Sequence, residues 1–469
     1  MVCKMKAVGW KRIIILIAGI ALLAVFSVCF RSFVDAREAS LSQIDLEDSD
    51  TVEGGNFSLH EGIRLAASSN DNLLGANESS ALALNSSAAT VEFGGTTTNY
   101  ESFAEAWSVL TSASTSADSQ AKITLYADVD PTEYQAAAAA QTNSYTYLCV
   151  ESGKYITLDL NGHAIDRGLT EATSNGYVIR VAGNLTIQDS SGDNRGKITG
   201  GYSSDFCGGV YVYGGTFTMS GGTISGNSAS SGGGVFAAYG TFTMTDGIIT
   251  GNSTSTNGGG VYASSTFNMS GGTITDNSAN CGGGVYVSRT FNMSGGEIYG
   301  NYASMYGAGV DVIGSGVFNM SGGKVYGNGT KSYGGGVRLG SVSGTVKLSG
   351  TAEIYDNVVG GTLNSSTGLY EGGTADNVYL GSECVITFAA EFTGKVGVKT
   401  AAVPSFGSPV TITNGWNSSY LGIITSDNDS YLLRTNNDGE LDLVCPAAAV
   451  EFNGTCLLYT SPSPRDRSL

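Results

Sequence analysis

The sequence predicts an all-β protein, a parallel β-helix with about 25 residues in each coil and a small helix-containing cap at its N-terminal end. The first observation behind this prediction is composition, because the 469 residues include 68 Gly and only 6 Pro. The second is periodicity, since Phe and Asn in the centre of the chain each recur about every 25 residues. The third is local pattern: short β-type runs alternate with Gly, Ser and Asn. The Phe series is Phe217, Phe242, Phe267, Phe291 and Phe318.

Each repeat contains three short β-type runs, written V-x-V, F-x-M and x-I-x in one-letter code. Alternation along a strand places the apolar residues of each run on one face. In the first clear coil the residues expected inside are Val210, Val212, Phe217, Met219 and Ile224. The following coils repeat the pattern with Phe242, Met244, Ile249, Phe267, Met269 and Ile274. One coil cannot offset the cost of ordering its own backbone, so the coils are expected to stack.

Asparagine and cysteine positions support the same arrangement. The aligned Asn residues predict a ladder of stacked amides at one turn, and they are Asn227, Asn252, Asn277, Asn301, Asn328 and Asn357.

Cys207 and Cys281 precede glycine runs three coils apart, a separation of about 14 Å, which exceeds the roughly 7 Å limit between the Cα atoms of a disulfide. They are expected to be unpaired. Most of the cysteines at 149, 207, 281, 384 and 445 are interpreted as small buried hydrophobes, and none suggests a zinc site.

Residues 1–36 have the pattern of a signal peptide, either cleaved or retained as an anchor. Basic residues are followed by the apolar run from Ile13 to Phe30, and small or β-branched Val34 and Ala36 suit cleavage after Ala36. Residues 37–87, rich in Ser, Ala and Asn, are interpreted as a flexible linker. We therefore expect an exported protein, secreted or held at the cell surface or wall.

Residues 88–146 are expected to form the cap over the first coil. Phe103, Trp107 and Leu110 lie on one helical stripe, and the run from Asp130 to Glu133 has the pattern of a capping box with Pro at the first helical position. The parallel β-helix is expected over 147–361, with irregular coils and a closing β segment over 362–455. Residues 456–469 back-translate into a sequencing-library adapter and are interpreted as an artefact.

Net charge excludes several classes of partner. The chain carries 41 acidic against 23 basic residues, a formal net charge of −18. Such a chain is not expected to bind nucleic acid, and it would repel polyanionic glycans unless a cation intervened. Contact with a membrane is expected only through the N-terminal signal segment, and the protein is expected to be a monomer.

The pairing of GG[GA]V with F-x-M-S-G-G-x-[IV]-x-x-N resembles the pectin-lyase-like right-handed parallel β-helices of bacterial surface proteins. It is also similar to the GGAI/FxxN repeats of polymorphic outer-membrane autotransporter adhesins, although Ser220 stands where that form has Asn. The segment from Ile156 to Ile165, followed by LTIQDSSG and GKITGG, looks like the first coils of large secreted proteins from gut Gram-positive bacteria. The resemblance covers residues 91–443 and implies a right-handed coil. It does not decide activity, since lyases, hydrolases and adhesins share this fold.

An enzyme on such a fold needs clustered carboxylates on one outer face. The outward positions of the F-x-M runs contain no acid: Thr218, Thr243, Asn268, Asn292, Asn319 and Lys347. We accordingly predict no catalytic residue, no metal site and no cofactor. The alternative is a carbohydrate-active enzyme, a polysaccharide lyase or glycoside hydrolase, which would require acids of the flanking coils to converge. Those acids are Asp159, Asp166, Asp189 and Asp193, of which Asp189 and Asp193 are expected to cap a turn, as is His163.

Outward aromatic residues are the predicted binding groups. One column lies between the inward valines and contains Tyr211, Phe236, Tyr262 and Tyr286. A second column follows the x-I-x runs and contains Tyr299, Tyr326 and Tyr355. Aromatic columns can stack sugar rings or anchor protein partners, but the rings can also simply stack on one another and stiffen the coil. The expected function is an adhesin or structural stalk that presents a face to glycans or to host or neighbour-cell proteins. A purely structural spacer is a third possibility.

Overall fold

The computed structural model describes residues 87–405 and 407–446, together with the strands Ala449–Phe452 and Thr455–Leu458. The predicted signal segment (1–36), nearly all of the predicted linker (37–87) and most of the predicted artefact (456–469) lie outside the described residues. The fold is an all-β parallel solenoid of about 10 turns, with 49% strand and 5% helix. The predicted fold class is confirmed.

Nine short parallel strands form the first wall of the solenoid, which we name the valine ladder. Val210, Val235, Val261 and Val285 stand in register on successive turns. The strands are Leu148–Val150, Ile179–Val181, Val210–Val212, Val235–Ala237, Val261–Ala263, Val285–Val287, Val310–Val312, Val337–Leu339 and Val378–Leu380.

The second wall, the phenylalanine ladder, carries the F-x-M runs. Its strands are Ala121–Leu125, Tyr155–Asp159, Asn184–Gln188, the first parts of Thr216–Ser225 and Thr241–Thr250, Thr266–Met269, Thr290–Met293, Val317–Met320, Thr345–Gly350 and Ile386–Phe392. Thr413–Asn414 pairs with the last of these. This parallel ladder begins at Ala121, inside the segment that the sequence assigns to the cap.

The third wall, the isoleucine ladder, carries the x-I-x runs. Its strands are Ala164–Asp166, Lys197–Thr199, the second parts of Thr216–Ser225 and Thr241–Thr250, Thr273–Thr275, Glu297–Tyr299, Lys324–Tyr326, Glu353–Tyr355, Lys395–Thr400 and Ile423–Ser426. The strands predicted upstream and downstream of the clear repeats are therefore confirmed as further turns of the same solenoid.

Each central turn also has a fourth strand that the apolar pattern did not indicate. These strands form a separate parallel sheet, the serine ladder, directly after each aligned Asn. They are Ser228–Ser231, Ser253–Asn257, Ser278–Cys281, Tyr302–Tyr306, Gly329–Thr330 and Val358–Val359, with Thr374–Ala375 added antiparallel. Several of these strands contain only small or polar residues, so no alternation of large apolar residues indicates them, and the pairing follows from the stacking of the turns.

The interior is filled as the alternation predicts. Val210, Val212, Phe217, Met219 and Ile224 are all 0% exposed, and the equivalent residues of the next two turns are at most 1% exposed. The five phenylalanines of the repeat form one continuous stack, with neighbouring ring centroids 4.5 to 5.0 Å apart and nearly parallel planes. Burial of this column removes large apolar surfaces from water and fixes the register of the turns.

The predicted asparagine ladder is present and longer than the sequence indicated. In each of the six predicted residues Nδ2 donates to Oδ1 of the asparagine in the next turn at 2.9 to 3.1 Å, from Asn227 to Asn377. Asn377 is the added member, and its Nδ2 donates to Oδ1 of Asp427 at 2.7 Å. At the other end, the backbone N–H of Gly201 donates to Asn227 Oδ1 at 3.0 Å. The amides are buried, and each is satisfied by its neighbours.

Cys207 and Cys281 are both free, as predicted, and so are Cys149 and Cys384. Cys207 occupies the position that Gly232 holds one turn later, and both residues adopt the left-handed conformation, with φ of 64° and 69°. Cys281 lies one residue earlier in its repeat, paired in the serine ladder with Asn257 and Tyr306. Cys445 is disulfide-bonded.

Two helices and a hairpin close the N-terminal end. Ala89–Phe93 pairs antiparallel with Thr96–Tyr100 and with Ala121–Leu125, so the open edge of the phenylalanine ladder is covered. The first helix, Phe103–Ser112, buries the predicted stripe of Phe103, Trp107 and Leu110. The second helix, Pro131–Ala139, is capped by Asp130, whose carboxylate accepts from the N–H groups of Thr132 and Glu133.

Glu133 does not complete the predicted capping box. Its Oε1 accepts a hydrogen bond from the backbone N–H of Ala104 at 2.8 Å, in the first turn of the other helix. The carboxylate therefore joins the two helices of the cap and lies beside the N-terminal end of a helix, where negative charge is favoured.

The C-terminal end is closed by short antiparallel strands. Val410–Thr411, Leu432–Thr435 and Leu441–Val444 form a three-stranded sheet. Between the last two strands of the serine ladder the chain forms a hairpin of Thr362–Asn364 and Leu369–Glu371, which packs against the side of the solenoid through Tyr370. A second hairpin joins Ala449–Phe452 to Thr455–Leu458. The predicted closing β segment is thus a set of antiparallel additions to the parallel stack.

Candidate binding faces

The first predicted aromatic column is continuous on the outside of the valine ladder. Ring centroids are 5.6 Å apart between Tyr211 and Phe236, 4.8 Å between Phe236 and Tyr262, and 4.9 Å between Tyr262 and Tyr286. The column extends upstream through Tyr177, whose centroid lies 5.3 Å from that of Tyr211. The structure therefore brings all four predicted residues together in one continuous column of aromatic rings.

These rings cover much of each other's surface. Phe236 is only 8% exposed, and the three tyrosines are half-buried. Burial raises the pKa of both Tyr211 and Tyr286 to about 12, so their hydroxyl groups stay protonated at physiological pH. The column offers ring edges and phenol hydroxyls to a partner, while adjacent rings contact one another.

An ion pair ends this column. Asp311 follows Tyr286 in register, and Arg338 follows Asp311. Arg338 donates from Nε to Asp311 Oδ1 at 2.7 Å and from Nη2 to Oδ2 at 3.2 Å, and its guanidinium carbon lies 4.0 Å from the ring centroid of Tyr306. Burial raises the pKa of the fully covered Asp311 carboxyl, and the paired guanidinium opposes that shift. A bidentate ion pair whose guanidinium also packs on an aromatic ring is typical of a rigid structural contact.

The second predicted column lies on the isoleucine ladder. Ring centroids are 5.1 Å apart between Tyr299 and Tyr326 and 5.5 Å between Tyr326 and Tyr355, with nearly parallel planes. The hydroxyl of Tyr326 donates to Oε2 of Glu297 at 3.1 Å, and burial together with that carboxylate raises the tyrosine's pKa. On the same strands, Glu297, Lys324, Glu353 and Lys395 stand opposite one another in register with alternating charge.

The most accessible rings beside the first column were not among the predicted residues. Tyr239 is 75% exposed, Phe206 is 54% exposed and Tyr213 is 41% exposed. Tyr213 and Tyr239 contact edge to face, with centroids 5.2 Å apart. Both follow strands of the valine ladder, at the turn into the phenylalanine ladder. The alternation of a strand does not determine which way a turn residue points. The one sequence signal for Tyr213 and Tyr239 is that a tyrosine occurs at this corner in two adjacent turns.

The four acids proposed for the alternative, enzymatic function have structural partners. Asp159 contacts Lys122 at 2.9 Å, and hydrogen bonds outweigh burial to lower its pKa. Asp189 accepts from the backbone N–H groups of three turn residues, as predicted. Asp166 accepts from the N–H of Gly168 at 2.8 Å, and Asp193 is paired with Arg195 at 2.6 Å. His163 directly follows the turn residues Asn161 and Gly162, and its Nδ1 lies 3.2 Å from Oδ1 of Asp128, which is 35 residues earlier in the chain.

Within residues 87–405 and 407–446, no group of three or more His, Cys, Asp or Glu side chains is placed to hold a metal ion. Neither helix that the structure describes is long and apolar enough to cross a membrane. Comparison with known proteins found no matching family model, curated protein or solved structure. The fold and the side chains on its walls are therefore the basis for a functional proposal.

Proposed function

We propose that the chain is an exported cell-surface protein whose solenoid acts as an adhesin or structural stalk, presenting a binding face to glycans or to host or neighbour-cell proteins. The observation that carries the proposal is the outer side of the valine ladder. There Tyr211, Phe236, Tyr262 and Tyr286 form one file over four successive turns. Surface aromatic residues are enriched where proteins meet partners, because they supply large contact areas at low entropic cost.

The shape of the molecule supports this proposal over an enzymatic one. A stack of similar turns gives a long, regular side wall, and each turn adds the same kind of contact to it. The acids required for the alternative function are instead held by turn N–H groups, Lys122 and Arg195. Each of these carboxylates therefore already has a partner within the fold.

The test compares two double variants that remove tyrosines from different faces. Tyr262→Ser/Tyr286→Ser alters the first column, and Tyr299→Ser/Tyr326→Ser alters the second by the same chemistry. Fluorescently labelled full chain is applied to epithelial cell monolayers, with and without enzymatic removal of surface glycans. We expect saturable binding by the unaltered chain and a loss of about tenfold in affinity for the first double variant, typical of interface aromatic residues.

Circular dichroism of both variants establishes that the solenoid is intact. Loss for either variant with an intact fold identifies the face that binds, and its response to glycan removal separates a glycan from a protein partner. Binding that is absent in the unaltered chain, or equal in all three proteins, would overturn the proposal.

A further inference from the structure

A groove runs along the corner at which the valine ladder turns into the phenylalanine ladder. It crosses five successive turns, from Ser152 to Thr266, and has a volume of about 450 Å³. We name it the corner groove. None of the residues that line it is an acid, a lysine, an arginine or a histidine. Four coil rises of about 4.8 Å give it a length of about 19 Å parallel to the solenoid axis.

Glycine backbone makes up part of the floor of the corner groove. Gly153 and Gly214 have φ of 82° and 90°, and a Cβ built at either position would meet no atom within 4 Å. Their left-handed conformation excludes most other residues, and nothing covers the backbone on that side. A ligand can therefore approach the main chain closely at two of the five turns.

The sides of the corner groove carry free hydroxyl groups and an accessible ring. Thr216, Thr241 and Thr266 stand opposite one another in register on three successive turns. Among the described residues, none makes a hydrogen bond to their side-chain hydroxyls. Tyr239, which also lines the groove, is 75% exposed. The groove thus combines an exposed aromatic surface with a row of unused hydrogen-bonding groups.

We propose that the corner groove binds an uncharged linear polysaccharide lying parallel to the solenoid axis. This inference rests on the proposed function and gives it a ligand class and a location different from the predicted columns. An aromatic ring packs against the C–H face of a sugar, and threonine hydroxyls can bond its hydroxyl groups. The groove is about 19 Å long, and on three of its five turns a threonine hydroxyl recurs at a spacing of about 4.8 Å, parallel to such a chain.

Charge and strand pairing exclude other occupants. The lining carries no cation to attract an anionic polymer, and the net charge of −18 repels one. An extended peptide binds by adding a strand to an unpaired sheet edge. On both sides of the corner groove the strands are already paired above and below, for example Val235–Ala237 between its two neighbours. A neutral chain with many hydroxyl groups is the ligand that this surface fits.

The experiment is affinity electrophoresis of the full chain in gels that contain one polysaccharide each. The probes are glucomannan, mixed-linkage β-glucan and linear β-galactan as neutral polymers, with polygalacturonate as the anionic comparison. Tyr239→Ala removes the accessible ring, and Thr216→Trp fills the groove from an exposed position. Tyr126→Ala is the matched control, because Tyr126 is 51% exposed but does not line the groove.

We expect retardation by at least one neutral polymer, no retardation by polygalacturonate, and a loss of about tenfold in affinity for Tyr239→Ala and Thr216→Trp, the scale of a binding hot spot. Tyr126→Ala should bind as the unaltered chain does. Retardation by none of the neutral polymers, or equal retardation of all variants, would overturn the inference. Binding to cell monolayers that persists in that case, and depends on the tyrosine columns, would leave the proposed function standing without the corner groove.

Discussion

Single side chains determine how the stacked turns are closed at their C-terminal end. Asp427 accepts from both the backbone N–H and the Nδ2 of Asn377, at 2.6 and 2.7 Å. The sequence predicted the asparagines at regular spacing but not these two residues. Asn377 lies only 20 residues after Asn357 and Asp427 lies 50 residues further on. The prediction depended on asparagine recurring at a regular interval. The intervals before Asn377 and Asp427 are irregular, and the last member is an aspartate, so neither residue could be predicted.

Asp376, next to this pair, is expected to make stability depend on pH. Its side chain is fully buried, one carboxylate oxygen has no hydrogen-bond partner, and Lys399 Nζ lies 3.8 Å from the other. Burial raises its pKa from 3.8 to about 6, although Lys399 and the N–H of Gly334 oppose the shift. Because the folded state holds the proton more tightly, the stabilisation from protonation is fully present below about pH 3.8 and is lost as pH rises through about 6.

The variant Asp376→Asn removes the charge and keeps the side-chain shape. We expect it to be more stable than the unaltered chain at pH 7.5 by about 1–3 kcal/mol, with the difference shrinking toward pH 5. Urea unfolding of both proteins at pH 5, 6 and 7.5 measures this difference. A difference that stays constant or grows as the pH falls would contradict the assignment.

At the scale of elements, strand prediction succeeded where side chains alternate between a buried and an exposed face. The valine, phenylalanine and isoleucine ladders all have that alternation, and their strands lie where it placed them. The serine ladder lacks the apolar residues of that pattern: the side chains of Ser228–Ser231 alternate in burial, but none is large and apolar, and the backbone pairs because the turns above and below are fixed. Alternation also predicted the two aromatic columns, because their residues lie within strands. It did not predict the exposed Tyr213 and Tyr239, because these two residues lie in turns.

The packing of the hairpin Thr362–Asn364/Leu369–Glu371 is expected to depend on a glycine of the serine ladder. A Cβ on Gly329 would lie 2.3 Å from the ring of Tyr370, which stacks on Tyr302 with centroids 5.5 Å apart. Gly329→Ala should displace the ring and destabilise the protein by about 1–3 kcal/mol. Thermal unfolding, together with proteolysis of the hairpin, measures the effect.

Gly407→Ala is the matched control, because a Cβ there meets no atom within 4 Å. A double variant adds a second check. If the ring is the cause, Gly329→Ala should cost much less stability in a Tyr370→Ala background than in the unaltered chain. An equal loss of stability in both backgrounds would mean that contact with Tyr370 is not the reason why residue 329 must be glycine.

At the scale of the whole molecule, the turns are predicted to be interchangeable. Deletion of residues 258–281 joins Asn257 to Gly282 and brings Val285, Phe291 and Asn301 into the registers that Val261, Phe267 and Asn277 leave. Each ladder then continues with residues that fit it. We expect a folded, soluble protein whose circular dichroism spectrum shows the same proportion of β-strand, with a solenoid shorter by about 4.8 Å.

Deletion of residues 258–269 is the matched control, because it removes the valine-ladder and phenylalanine-ladder strands of one turn and leaves the other two strands of that turn in place. Circular dichroism, gel filtration and small-angle scattering compare the two deletions. The modular description would be wrong if the full-turn deletion aggregated or lost strand content as the half-turn deletion does.

The asparagine ladder from Asn227 to Asn377, which ends on Asp427, has a direction, since each backbone N–H and each Nδ2 donates to the side-chain oxygen of the next turn toward the C-terminal end. In a partly built stack the side-chain amide of the last asparagine still bonds to carbonyl oxygens of its own and the preceding turn, but its backbone N–H finds its acceptor only in the following turn. Synthesis delivers the layers in that same order. We therefore expect the ladder to form from its N-terminal turns onward, with the carboxylate of Asp427 as the last acceptor.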